Sequence, residues 1–220
     1  VGVLALARGL VETSVKEGFE ADLAKISSFL KAFENNRIER NDESLKRAAV
    51  CIPLCSAEGR FSVALIERAA NMRNHGGQWG FPGGRIDGGE TVLDAAFREF
   101  CEELGLDLPR SRLIGRLDDF VTRSGYIISP VVVWMGDIAR VRPNPDEIAR
   151  VFSVPVDQLL KRESVEWFFV ADSENAAIRI AMHGDYLYAP SAALLYQFRE
   201  LALGRVTRVA EIEQPQFARR

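Results

Sequence analysis

Histidine is nearly missing from this chain and cysteine is scarce. Its 220 residues include two histidines, His75 and His183, and three cysteines, Cys51, Cys55 and Cys101. A zinc site built from Cys and His therefore has few ligands to draw on. An odd cysteine count in a chain of this length argues against a disulfide scaffold, and Cys51 and Cys55, set in an apolar strand-like run, read as reduced core residues. Charge of one sign is lacking too: 28 Lys and Arg against 31 Asp and Glu leave a net charge of −3. That balance gives no general pull toward nucleic acid or an acidic membrane, and neither is expected as a partner. No apolar run approaches the length of a membrane span, and the opening VGVLALARGLV has neither a basic start nor a clear A-x-A cleavage site. The expected location is the cytoplasm.

What remains is ample apolar material, 47% of the residues, enough for one sizeable core with extensions. Val15, Phe19, Leu23, Ile26, Leu30 and Phe33 recur every three or four positions, which predicts an amphipathic helix from Thr13 to about Phe33, with Thr13 or Ser14 as a cap. This helix either packs on the main domain or builds a homodimer surface. With the polar, turn-rich Asn35–Glu43 it forms an N-terminal helical extension and linker over residues 1–45. The main domain spans 46–204, and 205–220 is an exposed or partner-bound tail. Within the domain, AAVCIPLC, FSVALIER, SRLIGRLDDFVT, YIISPVVVWMG, VEWFFVA, AIRIAMHG and Tyr186–Tyr188 read as strands, VPVDQLL as a short helix and Ser191 to Leu203 as a closing helix. Strands mixed with a few helices, without steady βαβ alternation, indicate an α/β layer sandwich around a mixed sheet.

The most informative stretch is Gly84 to Leu106, GRIDGGETVLDAAFREFCEELGL. Thr91 and Asp94 have capping-box spacing, and Gly105 followed by Leu106 is a helix stop. Between them Leu93, Ala96, Phe97, Phe100 and Leu104 form one apolar stripe. Glu99, Glu102 and Glu103 fall on the opposite side, at i, i+3 and i+4, and are expected to converge above the small Ala95. Like charges so placed repel by a few tenths of a kcal/mol per pair, a cost that a hard divalent cation with oxygen ligands would offset. Taken bare, the same ExxEE pattern also describes a solvated acidic helix face.

The flanks bear on that choice. Gly84, five residues, Glu90, seven residues, then Arg98-Glu99-Phe100-x-Glu102-Glu103-x-Gly105-Leu106 resembles the Nudix box at every fixed position, Phe100 standing where an aliphatic residue is usual. Residues 64–84, ALIERAANMRNHGGQWGFPGG, are similar to the further signature that coenzyme A diphosphatases of the Nudix family carry upstream of the box. Arg68, Ala69, Arg73, Gly77 and Phe81-Pro82-Gly83-Gly84 all fall on its letters. The likeness covers most of Lys46 to Leu160, whereas Tyr188 to Leu203 departs from that family's usual ending.

The resemblance implies a Nudix fold, a mixed β-sheet in an α/β/α layer sandwich. It also implies hydrolysis of the diphosphate linkage of coenzyme A, or its derivatives, to adenosine 3′,5′-bisphosphate and 4′-phosphopantetheine. Carried over position by position, Glu99 and Glu103 are the central ligands of Mg²⁺ or Mn²⁺, with Glu102 and the Gly84 carbonyl completing the shell, and Arg98 orients the glutamates. The base is Glu99 or, outside the box, Glu147; Glu90 is a weaker candidate. The physics of the loop suits a phosphate-bearing nucleotide substrate. Glycines including Gly77, Gly80 and Gly83 let backbone amides approach phosphate oxygens, and Arg68 and Arg73 offer forked donors, although either arginine can instead pair with box glutamates. Trp79 either stacks on a base or caps the core, and His75 receives no chemical role. Two alternatives stay open: a Nudix hydrolase of another nucleoside diphosphate derivative, such as ADP-ribose or NADH, and a non-catalytic binding module of the same fold.

Overall fold

A computed structural model of the chain describes residues 19–39, 44–72, 76–171, 173–182 and 184–215. A mixed eight-stranded sheet forms its centre. Strands β1 (Lys46–Ala57) and β7 (Tyr126–Asp137) run parallel along their whole lengths, and β2 (Arg60–Arg68) pairs antiparallel with β1. β3 (Trp79–Gly80) and β8 (Ile148–Pro155) extend from β2, β4 (Gly83–Arg85) pairs with β1, and β5 (Leu113–Arg116) and β6 (Phe120–Val121) pair with β7.

Both faces of this sheet are covered, which explains why its central strands are apolar almost throughout. Side chains alternate across the sheet. Ile52, Leu54, Val63, Leu65 and Val132 face one core, while Cys51, Ala64, Ile66, Val131, Val133 and Met135 face the other. The second core is closed by α2 (Val92–Leu104), through Ala95, Ala96, Phe97, Phe100 and Leu104. Against the first pack α1 (residues 19–32), α4 (Ser191–Ala202) and a separate antiparallel sheet of β9 (Val165–Phe169), β10 (Ala176–Met182) and β11 (Asp185–Tyr188). The expected α/β/α layering is thus present. The strands over 165–188 were legible as strands, but their detachment into a second sheet was not, since local pattern does not state which edge a strand joins. The short α3 (Val156–Leu159) falls where VPVDQLL predicted it.

Of the two uses expected for the N-terminal helix, packing on the domain is observed. Ile26, Leu30 and Phe33 are buried in the first core, while the Thr13 or Ser14 cap lies outside the described residues. The segment that follows is fastened by two buried aspartates. Asp118 accepts from the Asn36 amide at 2.7 Å, from Gln197 Nε2 at 2.7 Å and from Arg208 at 2.7 Å. Asp119 accepts from the Ile38 amide at 2.9 Å and from the Ser129 hydroxyl at 2.6 Å. Residues 205–215, part of the expected exposed or partner-bound tail, are exposed at Arg205, Val206, Arg208, Ala210 and Glu211 but packed on the domain at intervals. Val209 and Ile212 are buried, Glu213 forms a parallel bridge with Ala177, and Gln214 bonds the Arg123 amide and the Val121 carbonyl. The reason is compositional: VTRVAEIE carries apolar residues spaced closely enough to cover the free edge of the core.

Cys51 and Cys55 are buried and unoxidised in β1, and burial pushes the Cys51 thiol up strongly and that of Cys55 up to about 12. Both are inert packing groups, as their surroundings dictate. No helix among the described residues is long and apolar enough to cross a membrane; that observation does not bear on β-barrel insertion.

Candidate active site

Helix α2 begins and ends as its sequence predicts. Thr91 and Asp94 form the reciprocal capping box, and Gly105 closes the helix in the left-handed conformation at φ 62°. One turn from that end, Glu102 and Glu103 part company, because successive helical residues are rotated by about 100°. Glu102 is half exposed, while Glu103 turns beneath the helix and is fully buried against β4. The expectation of three carboxylates converging above Ala95 is therefore corrected: Ala95 is buried, Glu103 is buried away from the half-exposed Glu102, and among the described residues no three acidic, Cys or His side chains form a ready ligand cluster.

Arginines occupy the carboxylate oxygens. Arg98 grips Glu90 with two bonds, from Nε at 2.8 Å and Nη2 at 3.0 Å. Its Nη1 bridges Glu99 at 2.8 Å and Glu102 at 3.0 Å, and Nη2 also reaches the Arg85 carbonyl at 3.0 Å. Arg98 thus sits where an orienting group is expected. Glu90, the weaker candidate base, is the residue that anchors Arg98, and the hydrogen bonds from Arg98 hold its carboxyl below the usual range. Arg68 donates to Glu103 Oε1 at 3.0 Å, so of the two uses open to Arg68 the pairing with a box glutamate is the one observed, though Arg68 also lines the cleft described below.

Glu103 accepts a second bond, at 2.9 Å, from the Gly83 amide. Gly83 therefore spends on a glutamate the N–H that was expected to face a phosphate. Its small size answers a different need. A Cβ there would lie 2.3 Å from the Ala49 carbonyl oxygen and 2.7 Å from the Val50 Cα, because β4 crosses β1 at this point. Gly83→Ala is accordingly expected to lower the unfolding free energy by about 1–3 kcal/mol or more, since both obstacles are backbone atoms that cannot swing aside. The midpoint of urea denaturation measures this, and an unchanged midpoint would refute the packing argument. At Gly84 the obstacle is chemical, a Cβ falling 2.3 Å from Glu99 Oε1. Glycine at 84 leaves the space that the Glu99 carboxylate occupies; a larger residue would require that side chain to move.

Glu147 joins this corner through a loop anchored at both ends. The Arg142 and Asn144 amides donate to the Leu104 and Glu103 carbonyls at the end of α2, and the Ala69 amide donates to the Glu147 carbonyl at the end of β2. The electrostatics register the crowding. Burial, then the neighbouring charges of Glu99 and Glu147, raise Glu103 to about 7 against the pull of Arg68; burial, Glu102 and Glu147 raise Glu99. Five carboxylates, counting Glu90, are answered by two guanidiniums. The donor chemistry, all oxygen, with surplus negative charge and partly desolvated, is the kind a hard divalent cation takes, although the described side chains are not gathered into a ligand cluster.

Beside this corner lies a cleft of about 840 Å³, lined in part by Arg68, Gly77, Trp79, Gly84, Arg85 and Tyr126. Trp79 stacks on Phe152, ring centroids 4.1 Å apart, and also lines the cleft. Gly77, at φ 71°, donates its amide to the Arg68 carbonyl at 3.0 Å. Arg73 and His75 lie outside the described residues. Sequence reasoning missed Arg85, Tyr126 and the whole opposite wall, which comes from β11, the start of α4 and residues 214–215.

Comparison with known proteins places this geometry. The NUDIX domain profile matches residues 45–171. Nudix hydrolase 3 of Caenorhabditis elegans is 32% identical over 157 residues, which are 70% of this chain and 65% of that protein, just under two thirds of its length. The uncharacterized Nudix hydrolase NudL of Citrobacter koseri is 33% identical over 139 residues, 62% of this chain and 72% of that protein. Among solved structures, a Nudix hydrolase from Alicyclobacillus acidocaldarius aligns with a TM-score of 0.49 at 16% identity, covering 74% of this chain and 97% of that one. With the profile spanning more than half of the residues, and the box folded as capped helix, glycine cradle and carboxylate corner, the chain belongs to the Nudix family of hydrolases.

Proposed function

We propose that the chain hydrolyses the diphosphate linkage of coenzyme A or its derivatives, giving adenosine 3′,5′-bisphosphate and 4′-phosphopantetheine, with Mg²⁺ or Mn²⁺ as cofactor. The observation that supports the hydrolytic part is the corner where Glu99, Glu102, Glu103 and Glu147 come near one another, with Arg68 and Arg98 as the arginines paired to them among the described residues. The signature over residues 64–84 supports the coenzyme A part. In this reading Glu99, Glu103, Glu102 and the Gly84 carbonyl hold the cation, which when bound neutralises diphosphate charge and polarises the attacking water. Arg98 holds Glu99 and Glu102 in place through its grip on Glu90. Glu147 accepts the proton of the water as its oxygen bonds to phosphorus and the bridging P–O bond breaks. Arg68, beside Gly77 and Gly83 at the mouth of the cleft, stands ready to trade Glu103 for a phosphate oxygen.

The test is incubation with Mg²⁺ or Mn²⁺ against coenzyme A, ADP-ribose, NADH and nucleoside triphosphates, products being identified by mass. Preferential formation of adenosine 3′,5′-bisphosphate is expected, and preference for ADP-ribose would overturn the coenzyme A assignment. Arg73 refines it. If this arginine holds the 3′-phosphate, Arg73→Ala raises KM for coenzyme A by about ten- to a hundredfold, the range for a lost hydrogen bond to a charged group, and affects dephospho-coenzyme A much less. Equal losses on both would assign Arg73 to the diphosphate or to the fold.

A further inference from the structure

Two of the arginines lining the cleft are committed to carboxylates, Arg68 to Glu103 and Arg123 to Glu213. Arg85 is exposed and has no carboxylate partner among the described residues. Its side chain is nonetheless held. Nε donates to the Tyr126 hydroxyl at 2.9 Å, and the guanidinium carbon stands 5.7 Å from the centre of the Tyr126 ring. The Lys46 ammonium lies 5.9 Å from the same ring, so Tyr126 has two cations beside it.

Strand geometry fixes which way Arg85 looks. Successive residues of β4 point to opposite sides. At Gly84 the side-chain direction meets the Glu99 carboxylate, under α2; at Arg85 it meets Tyr126, in the cleft. The box carboxylates and the cleft thus lie on two sides of one short strand and, among the described residues, meet around Arg68, Gly83 and Gly84. A substrate that presents a diphosphate to the carboxylates must therefore lay the group flanking that diphosphate through the cleft, past Arg85. With Nε engaged, the two Nη groups remain as a planar fork, the geometry that binds a phosphate through paired bonds.

We propose that Arg85, positioned by Tyr126, is a phosphate-binding residue of the cleft. It takes a phosphate of a nucleoside diphosphate derivative on the side of the flanking group, which fills the space between Tyr126 and the β11 wall of Tyr186 and Tyr188. This assignment deepens the hydrolase reading above and rests on it for the class of ligand.

Equilibrium binding of ADP in a chelating buffer tests it without turnover, with adenosine as the uncharged probe. Arg85→Gln is expected to weaken ADP binding about ten- to a hundredfold and to leave adenosine within about twofold, Arg85→Lys to recover part of the loss, and Tyr126→Phe to weaken ADP severalfold only. Under turnover the Arg85→Gln loss should fall on KM more than on kcat. Melting temperatures at the wild-type value confirm folded variants, as expected for an exposed side chain. Equal ADP affinity in wild type and Arg85→Gln, equal losses for ADP and adenosine, or wild type binding ADP no more tightly than adenosine would each overturn the assignment. A wild-type protein that hydrolyses no nucleoside diphosphate derivative, yet shows the expected ADP loss, would overturn the function proposed above and leave Arg85 as a phosphate ligand.

Discussion

Glu103→Gln should abolish most hydrolysis, by about 10²–10³-fold or more, the range for removing one preorganised charge from the centre of a reaction site. The fold should survive, because the substituted amide keeps the shape of the glutamate and its oxygen can still accept the Gly83 N–H now bonded at 2.9 Å. Stability gives the second readout. Burial raises Glu103 from 4.5 to about 7, so the folded protein binds this proton more tightly than the unfolded chain does. The stability so gained is fully present below about pH 4.5 and is lost as pH rises through 7, amounting to a few kcal/mol at roughly 1.4 kcal/mol per pH unit. In chelating buffer the wild type should therefore lose stability across that window, and Glu103→Gln should not. Near-normal turnover would remove Glu103 from the site, and identical pH profiles of unfolding would refute the account of its burial.

Glu147→Gln should lower kcat by about 10²–10⁴-fold with little change in KM, as for a proton acceptor that acts mainly in the transition state. The carboxylate owes its place to backbone bonds, the Ala69 amide to its carbonyl and its own amide to Asn144, none of which the substitution touches. A drop in kcat therefore reports chemistry and not displacement of the loop. Should Glu99 be the base instead, Glu147→Gln would be mild and the burden would shift to Glu99→Gln; steady-state kinetics of the two variants separate the schemes.

Helix α2 could be read from the sequence almost to the residue because its signals are local. Thr91 bonds a residue three positions away, Gly105 closes the last turn, and the stripe of Ala96, Phe97, Phe100 and Leu104 needs only a core to face. The membership of Glu99, Glu103 and Glu147 in one corner was legible through motif and resemblance. Their division of labour with arginines was not. Whether Arg68 meets a phosphate or Glu103, and whether the Gly83 amide points at a ligand or at that same glutamate, depends on how β2 and β4 settle around α2. A glycine-rich loop offers many amide donors, and no local pattern says which are consumed within the fold. Arg85 escaped notice for the same reason: its partner Tyr126 stands 41 residues away in sequence.

The aspartates at 118 and 119 have a consequence for how the molecule opens. Through them the chain near residues 36 and 38, the β7 residue Ser129, Gln197 on α4 and Arg208 are linked by hydrogen bonds to two buried carboxylates. Peeling away the segment near residues 36 and 38, or the one near Arg208, removes a donor from a buried carboxylate, which costs free energy even though the other donors remain. Regions lying outside the matched domain on either side are thereby bound into the same cooperative unit as the central sheet. Their opening is expected only when the whole molecule unfolds, and the amides of Asn36 and Ile38 should be protected from solvent for about as long as those of β7.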